Sequence, residues 1–296
     1  MPIPESQLET WAHQGSIAQS SATYAIVKRA LDAGDTKYAD KDYEIFLQGS
    51  YGNDTNIYAE SDVDIVIRLD SIYHYDVTAL TPQELSAYDA ARIAGTYAYR
   101  DYKEHVVSAL KKSFGSDVRV GAKAIRIEAN GSRRSADVVV ATLFRKYHSY
   151  SVTLGPRFEP GICFFNSNGQ RIENYPKQHS ANCTSKHQST NEWFKPMVRI
   201  LKNMRSRLVE DGTIAKGSAP SYFLEGLLFN VPDHLFGKSY GATFVAAANW
   251  INQANRVDLI CANSQHYLVR DNFSTCWPSA SCDVFIDAAI ELWKKW

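Results

Sequence analysis

Two short apolar runs in the first quarter of the chain are separated by a polar stretch. The first run covers residues 45–47, and the second covers residues 65–67. Short runs that are rich in β-branched and aromatic residues are typical of buried strands. We therefore predict one strand over 43–48 and another over 62–69, joined by a polar connection.

The rest of the hydrophobic pattern predicts further strands, two hairpins and several helices. Strands are predicted at 117–120, 123–129 and 133–141, with a hairpin turn at Asn130-Gly131, and a second hairpin pairs 161–165 with 170–174. Helices are predicted over 5–33, 82–113, 191–209, 220–231, 240–254 and 279–295. Apart from the second hairpin, the stretch 155–190, which is rich in Gly, Pro, Asn and Ser, is predicted to be loop. This order of elements predicts an α+β fold with a long N-terminal helix, a mixed sheet and a C-terminal helical region.

Asp62 and Asp64 lie two residues apart at the start of the second predicted strand. Side chains on a strand alternate between its faces, so both carboxylates point the same way. Two adjacent carboxylates repel each other, and a divalent cation between them relieves the repulsion. The same pattern also occurs at solvated strand edges and in Asx turns. The pair is therefore a candidate metal site whose interpretation depends on its surroundings.

Gly49 and Ser50 directly follow the first predicted strand. Glycine allows the backbone to approach a phosphate closely, and serine adds a hydroxyl and an N–H donor. Alone, such a pair is usually a turn. The order of strand, Gly-Ser, short spacer, Asp-x-Asp and apolar strand is more specific. A phosphate cradle followed by metal-binding carboxylates predicts chemistry on a nucleoside triphosphate.

Asp137 is a lone acid among the β-branched residues of the predicted strand over 133–141. A buried carboxylate without a partner is costly, so this position favours a nearby cation. Together with Asp62 and Asp64, it gives three candidate catalytic and metal-ligating residues.

Composition and charge narrow the possible function classes. The 296 residues leave room for one large or two ordinary domains, and Lys+Arg and Asp+Glu balance at 32 each. That balance argues against a protein that coats long nucleic acid. Because we find no signal-peptide pattern and no apolar run long enough to cross a bilayer, we expect a cytoplasmic protein without a membrane partner. The five cysteines, odd in number and without a Cys-x-x-Cys, predict reduced thiols.

His179, Cys183 and His187 follow one another at intervals of four residues. On a helix they would share one face and could form a zinc site. No fourth ligand is nearby in the sequence, and the segment is rich in Asn, Ser and Thr. We therefore predict that these three are polar loop residues.

Six pieces of the sequence together resemble a known enzyme family. They are Gly49-Ser50, Asp62-Val63-Asp64, Asp137, and the stretches 174–179, 194–202 and 221–225. The chain resembles the bacterial cGAS/DncV-like nucleotidyltransferases (CD-NTases), which belong to the polymerase β-like superfamily and act in CBASS anti-phage signalling. The resemblance implies template-independent synthesis of a cyclic di- or trinucleotide second messenger from NTPs, which is passed to a downstream effector.

The resemblance also implies an architecture and a set of site residues. A nucleotidyltransferase lobe with the N-terminal helix would cover 1–175, and a helical lobe over 176–296 would complete the nucleotide-binding cleft. Two Mg²⁺ ions, or Mn²⁺, would be held by the three acids. Lys202 and Ser221 would contact the donor triphosphate, and Tyr222 would stack on its base.

Two points stay open at this stage. Tyr222 could instead be a core aromatic beside Phe223. Asn166, in the second predicted hairpin, can both donate and accept hydrogen bonds and could select a pyrimidine base, or it could be an ordinary turn residue.

Alternative functions also remain open, namely an RNA-tailing, oligoadenylate-type or antibiotic nucleotidyltransferase and an inactive nucleotide-binding regulatory protein. The neutral net charge disfavours RNA tailing, and the presence of all three acids disfavours an inactive protein. The animal relative of the resembled family has a cysteine/histidine zinc insertion for DNA sensing. We find no convincing equivalent of that insertion in this sequence. We expect a monomer that needs no long nucleic acid.

Overall fold

A computed structural model describes residues 1–15, 17–58, 62–131, 133–273 and 275–296. The chain forms two compact units. The first is built from Met1–Ser16, Gly49–Glu60 and Lys177–Trp296, and the second from Ile17–Gln48 and Ser61–Pro176. Each unit is thus assembled from segments that are distant in the sequence. The predicted α+β class is confirmed, because the second unit holds a mixed sheet and the first is helical.

The second unit is organised around a sheet of seven strands. These are β1 (Tyr43–Leu47), β2 (Val63–Asp76), β3 (Val118–Val120), β4 (Ile125–Ile127), β5 (Ala136–Ser149), β6 (Arg157–Phe165) and β7 (Arg171–Asn174). The strand order is β1-β2-β5-β4-β3, with β6 on β5 and β7 on β6. Strands β2 and β5 are parallel, and the other pairs are antiparallel. Both predicted hairpins are confirmed, by the Asn130–Arg133 bridge and by the pairing of β6 with β7.

Three helices accompany this sheet, namely α2 (Ala18–Leu31), α4 (Pro82–Ala91) and α5 (Tyr99–Phe114). Helix α4 begins with a capping box, in which Thr81 and Glu84 each bond the other's backbone N–H. The single helix predicted over 82–113 is wrong, because the chain leaves helical geometry between α4 and α5. A Cβ at Gly95 in that interval would lie 2.8 Å from the Cγ2 of Ile72 on β2, so a larger residue there would require the Ile72 side chain to shift.

The N-terminal helix predicted over 5–33 is present as two pieces, α1 (Glu5–Ala12) and α2. The helical pattern is interrupted near Gly15. The N–H of Gly15 donates to the carbonyl of Asn56 at 3.1 Å, and a Cβ at Gly15 would lie 2.8 Å from the Ile57 backbone. A close backbone contact with a sequence-distant segment therefore takes the place of a helical turn.

The first unit is a helical assembly. Besides α1 it contains α3 (Gly49–Gly52), α6 (Pro176–Ser189), α7 (Phe194–Glu210), α8 (Ser221–Asn230), α9 (Tyr240–Gln253) and α10 (Ser279–Lys295). Its core brings together Leu8, Met197, Leu227 and Phe285, each at most 2% exposed. The predicted helices from 191 onward are confirmed. Among the described residues, no helix has both the length and the apolar character to cross a membrane.

The loop predicted up to residue 190 is wrong from residue 176 onward, where α6 begins. Pro176 occupies the first helical position, where its missing N–H costs nothing. His179 and Cys183 are buried at a spacing of four residues. The burial of this face outweighs the weak helix preference of the many Asn, Ser and Thr residues. The five cysteines are all buried free thiols, as predicted.

Candidate active site

Asp64 and Asp137 are direct neighbours in the sheet. Strands β2 and β5 run parallel with Val63 opposite Ala136 and Asp64 opposite Asp137. Partners in register point to the same face of a sheet, so the two carboxylates lie side by side. Two acids separated by 73 positions are thus brought together by the pairing of two strands that are apolar around each acid.

Asp62 lies on the same side, just before β2. The guanidinium of Arg126 contacts both Asp62 oxygens at 3.3 Å and an Asp137 oxygen at 3.5 Å. Because one side chain reaches both acids, Asp62 and Asp137 must face the same space. The Ser135 hydroxyl also donates to Asp62. The structure therefore brings together all three acids that the sequence singled out.

Arg126 is a part of this site that the sequence reasoning missed. It lies on β4 directly opposite Asp137, and it also contacts Glu128 at 3.3 Å. The signal was present in the predicted Asn130-Gly131 hairpin. Counting back along both arms from the Asn130–Arg133 pair places Arg126 opposite Asp137.

The electrostatics of the cluster suit a divalent cation. Burial raises the pKa of Asp137, and the charge of Asp62 adds to the increase, although the Arg126 guanidinium opposes it. The neighbouring acids raise the pKa of Arg126 in turn, so the cluster already attracts one positive charge. Carboxylate oxygens are the ligands that Mg²⁺ and Mn²⁺ prefer. The side chains present therefore fit the implied metal, and Asp62, Asp64 and Asp137 could hold it.

In the helical unit, Gly49 and Ser50 begin a tightly closed turn. Gly49 has a φ of 64°, a conformation that favours glycine. The N–H of Asn53 donates to the Gly49 carbonyl at 3.0 Å, and that of Thr55 donates to the Ser50 carbonyl at 2.9 Å. Ser50 itself is 9% exposed. The predicted phosphate-binding pair is thus part of a compact segment rather than of an open loop.

The residues predicted to bind the donor nucleotide also lie in the helical unit. Lys202 on α7 is fully buried, and its Nζ donates to the Thr55 carbonyl at 2.9 Å. Ser221 begins α8, and its hydroxyl accepts a hydrogen bond from Arg205 at 3.1 Å. The guanidinium next to Ser221 therefore belongs to a residue that was not predicted for the site.

Tyr222 stacks on a histidine in this structure. Its ring lies 4.7 Å from that of His179 at an interplanar angle of 23°. Its hydroxyl accepts a hydrogen bond from Asn263 at 2.9 Å. Burial raises the pKa of this hydroxyl strongly, so Tyr222 is neutral.

The three candidate zinc ligands have different neighbours in the structure. His179 and Cys183 lie within 4.8 Å of Glu225, whereas the Nδ1 of His187 accepts a hydrogen bond from the Lys195 N–H at 3.4 Å. Both Glu225 oxygens already accept hydrogen bonds, so a metal ion there would have to break them. Burial raises the pKa of the Cys183 thiol well above its usual value, which also disfavours the thiolate that zinc requires. The prediction that His179, Cys183 and His187 are polar loop residues is therefore wrong. All three lie on α6, and His179 and Cys183 are buried.

Asn166 lies in the turn between β6 and β7. Its side-chain oxygen accepts hydrogen bonds from the N–H groups of Asn168 (3.0 Å) and Gln170 (2.9 Å), and its amide nitrogen donates to the Gln170 side chain at 2.8 Å. These bonds are those of an Asx-type turn. In this structure the side chain stabilises the hairpin.

Comparisons with known proteins agree with this geometry. Residues 181–294 match the family described as cGAS/DncV-like nucleotidyltransferase C-terminal helical domain. The chain is 37% identical over 297 residues to a cyclic UMP-AMP synthase of Rhodothermus marinus, covering 100% of this chain and 99% of the relative. It is 34% identical to the cyclic nucleotide synthase CdnE01 of Staphylococcus haemolyticus, with complete coverage of both (100% and 100%).

A solved structure extends the likeness to three dimensions. The Rhodothermus marinus CdnE c-UMP-AMP synthase, determined with Apcpp and Upnpp, superimposes with a TM-score of 0.89 at 36% identity, covering 100% of this chain and 98% of that one. The likeness in sequence and fold extends over both units, including the strands that carry the acids. This chain is a nucleotidyltransferase that belongs to the cGAS/DncV-like family of cyclic nucleotide synthases.

Proposed function

We propose that this nucleotidyltransferase joins NTPs into a cyclic dinucleotide by two successive nucleotidyl transfers, with UTP and ATP as the substrates to test first. The register that pairs Asp64 with Asp137, beside Asp62, is the observation that carries the proposal. The choice of UTP and ATP rests on the Rhodothermus marinus relative, which is named a cyclic UMP-AMP synthase. A ring of three nucleotides is the alternative product.

Asp62, Asp64 and Asp137 have two roles in this proposal. They hold Mg²⁺, or Mn²⁺, which when bound stabilises the leaving pyrophosphate and acidifies the attacking ribose hydroxyl. Asp137 also accepts the proton of that hydroxyl. Its raised pKa supports this role, because a more basic carboxylate is a better proton acceptor. Arg126 is the counter-charge for Asp62 and Asp137 before the cations bind.

The helical unit supplies the groups that hold the donor nucleotide. Gly49 and Ser50 bind phosphate oxygens through their backbone N–H groups and the serine hydroxyl. Ser221 adds a second hydroxyl, next to the positive charge of Arg205. Tyr222 offers the face of its ring that is not stacked on His179 to the base. Lys202 contributes its charge from a buried position, where it holds the carbonyl of Thr55.

Asn166 is proposed to influence which base is used. An amide can both donate to and accept from the edge of a pyrimidine such as uracil. Its hydrogen bonds within the turn mean that this contact would require the side chain to exchange partners. The base preference of an Asn166 variant is therefore the appropriate test.

The wider biological role is part of the same proposal. The cyclic product acts as a second messenger that a downstream effector receives in anti-phage signalling, and the enzyme works as a cytoplasmic monomer. For the working enzyme we retain the division into a catalytic lobe over 1–175 and a helical lobe over 176–296. In the structure the segments 1–15 and 49–58 of that catalytic lobe belong to the helical unit.

Incubation with the four labelled NTPs and Mg²⁺ tests the function directly. After phosphatase treatment, a cyclic product stays intact because it has no terminal phosphate, whereas unreacted NTPs and linear products lose theirs. We expect a phosphatase-resistant product that requires at least two different NTPs, and none from the Asp62→Ala, Asp64→Ala double variant. Only linear products that keep growing, or labelled RNA, would instead indicate a tailing enzyme.

A further inference from the structure

The carboxylate of Glu225 lies at the centre of a buried polar cluster in the helical unit. Glu225 is on α8 and is 2% exposed. Its two oxygens accept hydrogen bonds from the Asn53 amide at 3.0 Å, from the Thr55 hydroxyl, and from the Nε2 of His179 at 2.6 Å. Three side chains from two distant segments thus converge on one carboxylate.

The charge state of Glu225 is fixed by this arrangement. Burial by itself raises the pKa of a carboxyl group, but the hydrogen bond and charge of His179, the charge of Lys202 and the hydrogen bond from Thr55 together lower the pKa of Glu225 below its usual value. The glutamate is therefore an anion that only accepts hydrogen bonds. Among the described residues, the Nδ1 of His179 is buried without a hydrogen-bond partner, so His179 meets Glu225 through Nε2 alone.

Two of the three donors belong to the turn that begins with Gly49 and Ser50. Asn53 and Thr55 also close that turn, since their N–H groups donate to the carbonyls of Gly49 and Ser50. The same turn is held from outside by Ser180, whose hydroxyl donates to the Gly52 carbonyl at 3.1 Å. Any change in the position of the Asn53 or Thr55 side chain would therefore move the backbone that carries Ser50.

The third donor connects Glu225 to Tyr222. His179 donates to Glu225 through Nε2 and places its ring 4.7 Å from the Tyr222 ring. The two residues proposed to hold the phosphate and the base of one nucleotide, Ser50 and Tyr222, are thus joined through the pair formed by His179 and Glu225.

We infer that Glu225 and His179 are positioning residues that fix the Ser50 turn and the Tyr222 ring relative to each other for nucleotide binding. This inference rests on the proposed function, and neither residue touches the nucleotide. A buried pair that served stability alone would not be tied specifically to these two elements. Its loss would lower the melting temperature but leave the affinity of the folded protein for NTPs unchanged.

Glu225→Gln is the sharpest single test. Glutamine keeps the shape, but its amide nitrogen is a donor and would face at least one of the three existing donors. We expect the folded variant to bind UTP at least about tenfold more weakly, which corresponds to the loss of roughly one charge-assisted hydrogen bond. Titration calorimetry with UTP, with Ca²⁺ in place of Mg²⁺, measures this affinity without turnover. Thr55→Val removes a single donor with little change in shape, and it carries the same test if Glu225→Gln does not fold.

A double-mutant cycle with Ser50→Ala separates positioning from general destabilisation. If Glu225 acts through the Ser50 turn, adding Glu225→Gln to Ser50→Ala should weaken UTP binding far less than it does in the parent. If the two substitutions instead weaken UTP binding by independent factors that multiply in the double variant, the inference is overturned. Asn230→Ala is the matched control, because Asn230 also lies on α8 and bonds the Gly226 and Ile260 carbonyls but not the Ser50 turn. It should lower the melting temperature without changing the affinity.

The two functions of His179 can be tested separately. His179→Phe keeps a ring beside Tyr222 but cannot donate to Glu225, whereas His179→Gln can donate but has no ring. We expect His179→Phe to weaken the binding of inorganic tripolyphosphate and His179→Gln to leave it close to the parental value. Equal tripolyphosphate affinity in both variants would contradict the link from Glu225 to the phosphate-binding turn. A parent protein that binds no NTP at all would instead overturn the proposed function itself.

Discussion

Asp64 on β2 lies directly opposite Asp137 on β5, in the parallel pair of strands of the sheet. Neither strand explains its acid by itself, because the neighbouring residues within 63–67 of β2 and 136–141 of β5 are all apolar and buried. Side by side, and with Asp62 next to them, the acids form a cluster of negative charge in which Arg126 pairs with Asp62 and Asp137. This relationship is the basis of the first two predictions.

Asp62→Ala combined with Asp64→Ala should abolish product formation and leave the fold intact. Asp62 lies just before β2 and Asp64 near its start, and both are only half-buried, so neither packs in the core. Circular dichroism and the four-NTP assay would check the two parts of this prediction. Asp70→Asn is a suitable control, since Asp70 lies on the same strand but pairs with Arg68. Synthesis at the parental rate by the double variant would remove these acids from the mechanism.

Asp137→Asn should still bind NTPs but should not transfer a nucleotide. An amide is a poor metal ligand and cannot accept a proton at neutral pH. Single-turnover assays would measure transfer, and Mn²⁺ binding followed by electron paramagnetic resonance should show weaker metal binding. If the variant turns over at the parental rate, the third acid of the mechanism lies elsewhere in the chain.

Lys202→Met should raise the KM for NTPs more than it lowers kcat. The change removes the ammonium that holds the Thr55 carbonyl, and it should also destabilise the fold by about 1–3 kcal/mol, because the carbonyl is left buried without that donor. Steady-state kinetics and thermal melting would measure the two effects. Lys216→Met, at an exposed position, is the control. A change in kcat alone would contradict the proposed contribution of Lys202 to ground-state binding.

Asn166→Ser should shift substrate use from UTP or CTP towards ATP or GTP without abolishing activity. Serine can still accept hydrogen bonds in a turn, so the hairpin should persist. The measurement is the product mixture from a competition among all four NTPs. Asn168→Ser changes an exposed neighbour in the same turn and should leave the mixture unchanged. An unaltered mixture from Asn166→Ser would assign Asn166 to the turn alone.

Gly15→Ala should destabilise the protein by about 1–3 kcal/mol, a typical cost of inserting a methyl group where there is no room for it. The new Cβ would lie 2.8 Å from the carbonyl carbon and oxygen of Ile57, and backbone atoms cannot move aside as a flexible side chain can. Urea unfolding would measure the loss. Gly34→Ala is the matched control, because its Cβ would meet no atom within 4 Å. Equal stability of the two variants would show that the contact with Ile57 relaxes without cost.

Local signals in the sequence were sufficient for much of the fold. The alternation of side chains on a strand put Asp62 and Asp64 on one face, and the isolation of Asp137 in an apolar strand marked it as the third acid. The Asn130-Gly131 turn was also predicted correctly, because such a signal depends on residues only a few positions apart.

The errors and omissions arose where distant parts of the chain meet. The predicted helices are interrupted near Gly15 and Gly95 because these glycines approach Ile57 and Ile72, and α6 forms despite weak propensity because one of its faces is buried. Helical periodicity cannot report such contacts.

The sequence by itself determined which residues are the candidates for the chemistry, since three acids and a Gly-Ser pair are recognisable from their immediate neighbours. Only the tertiary structure decided how those residues are supported. The parallel pairing of β2 with β5 set the register of Asp64 and Asp137, and helix packing buried Lys202 and Glu225 against the Ser50 turn. Register and burial depend on which distant segments come into contact, and that choice is made by packing over the whole unit rather than by any local pattern.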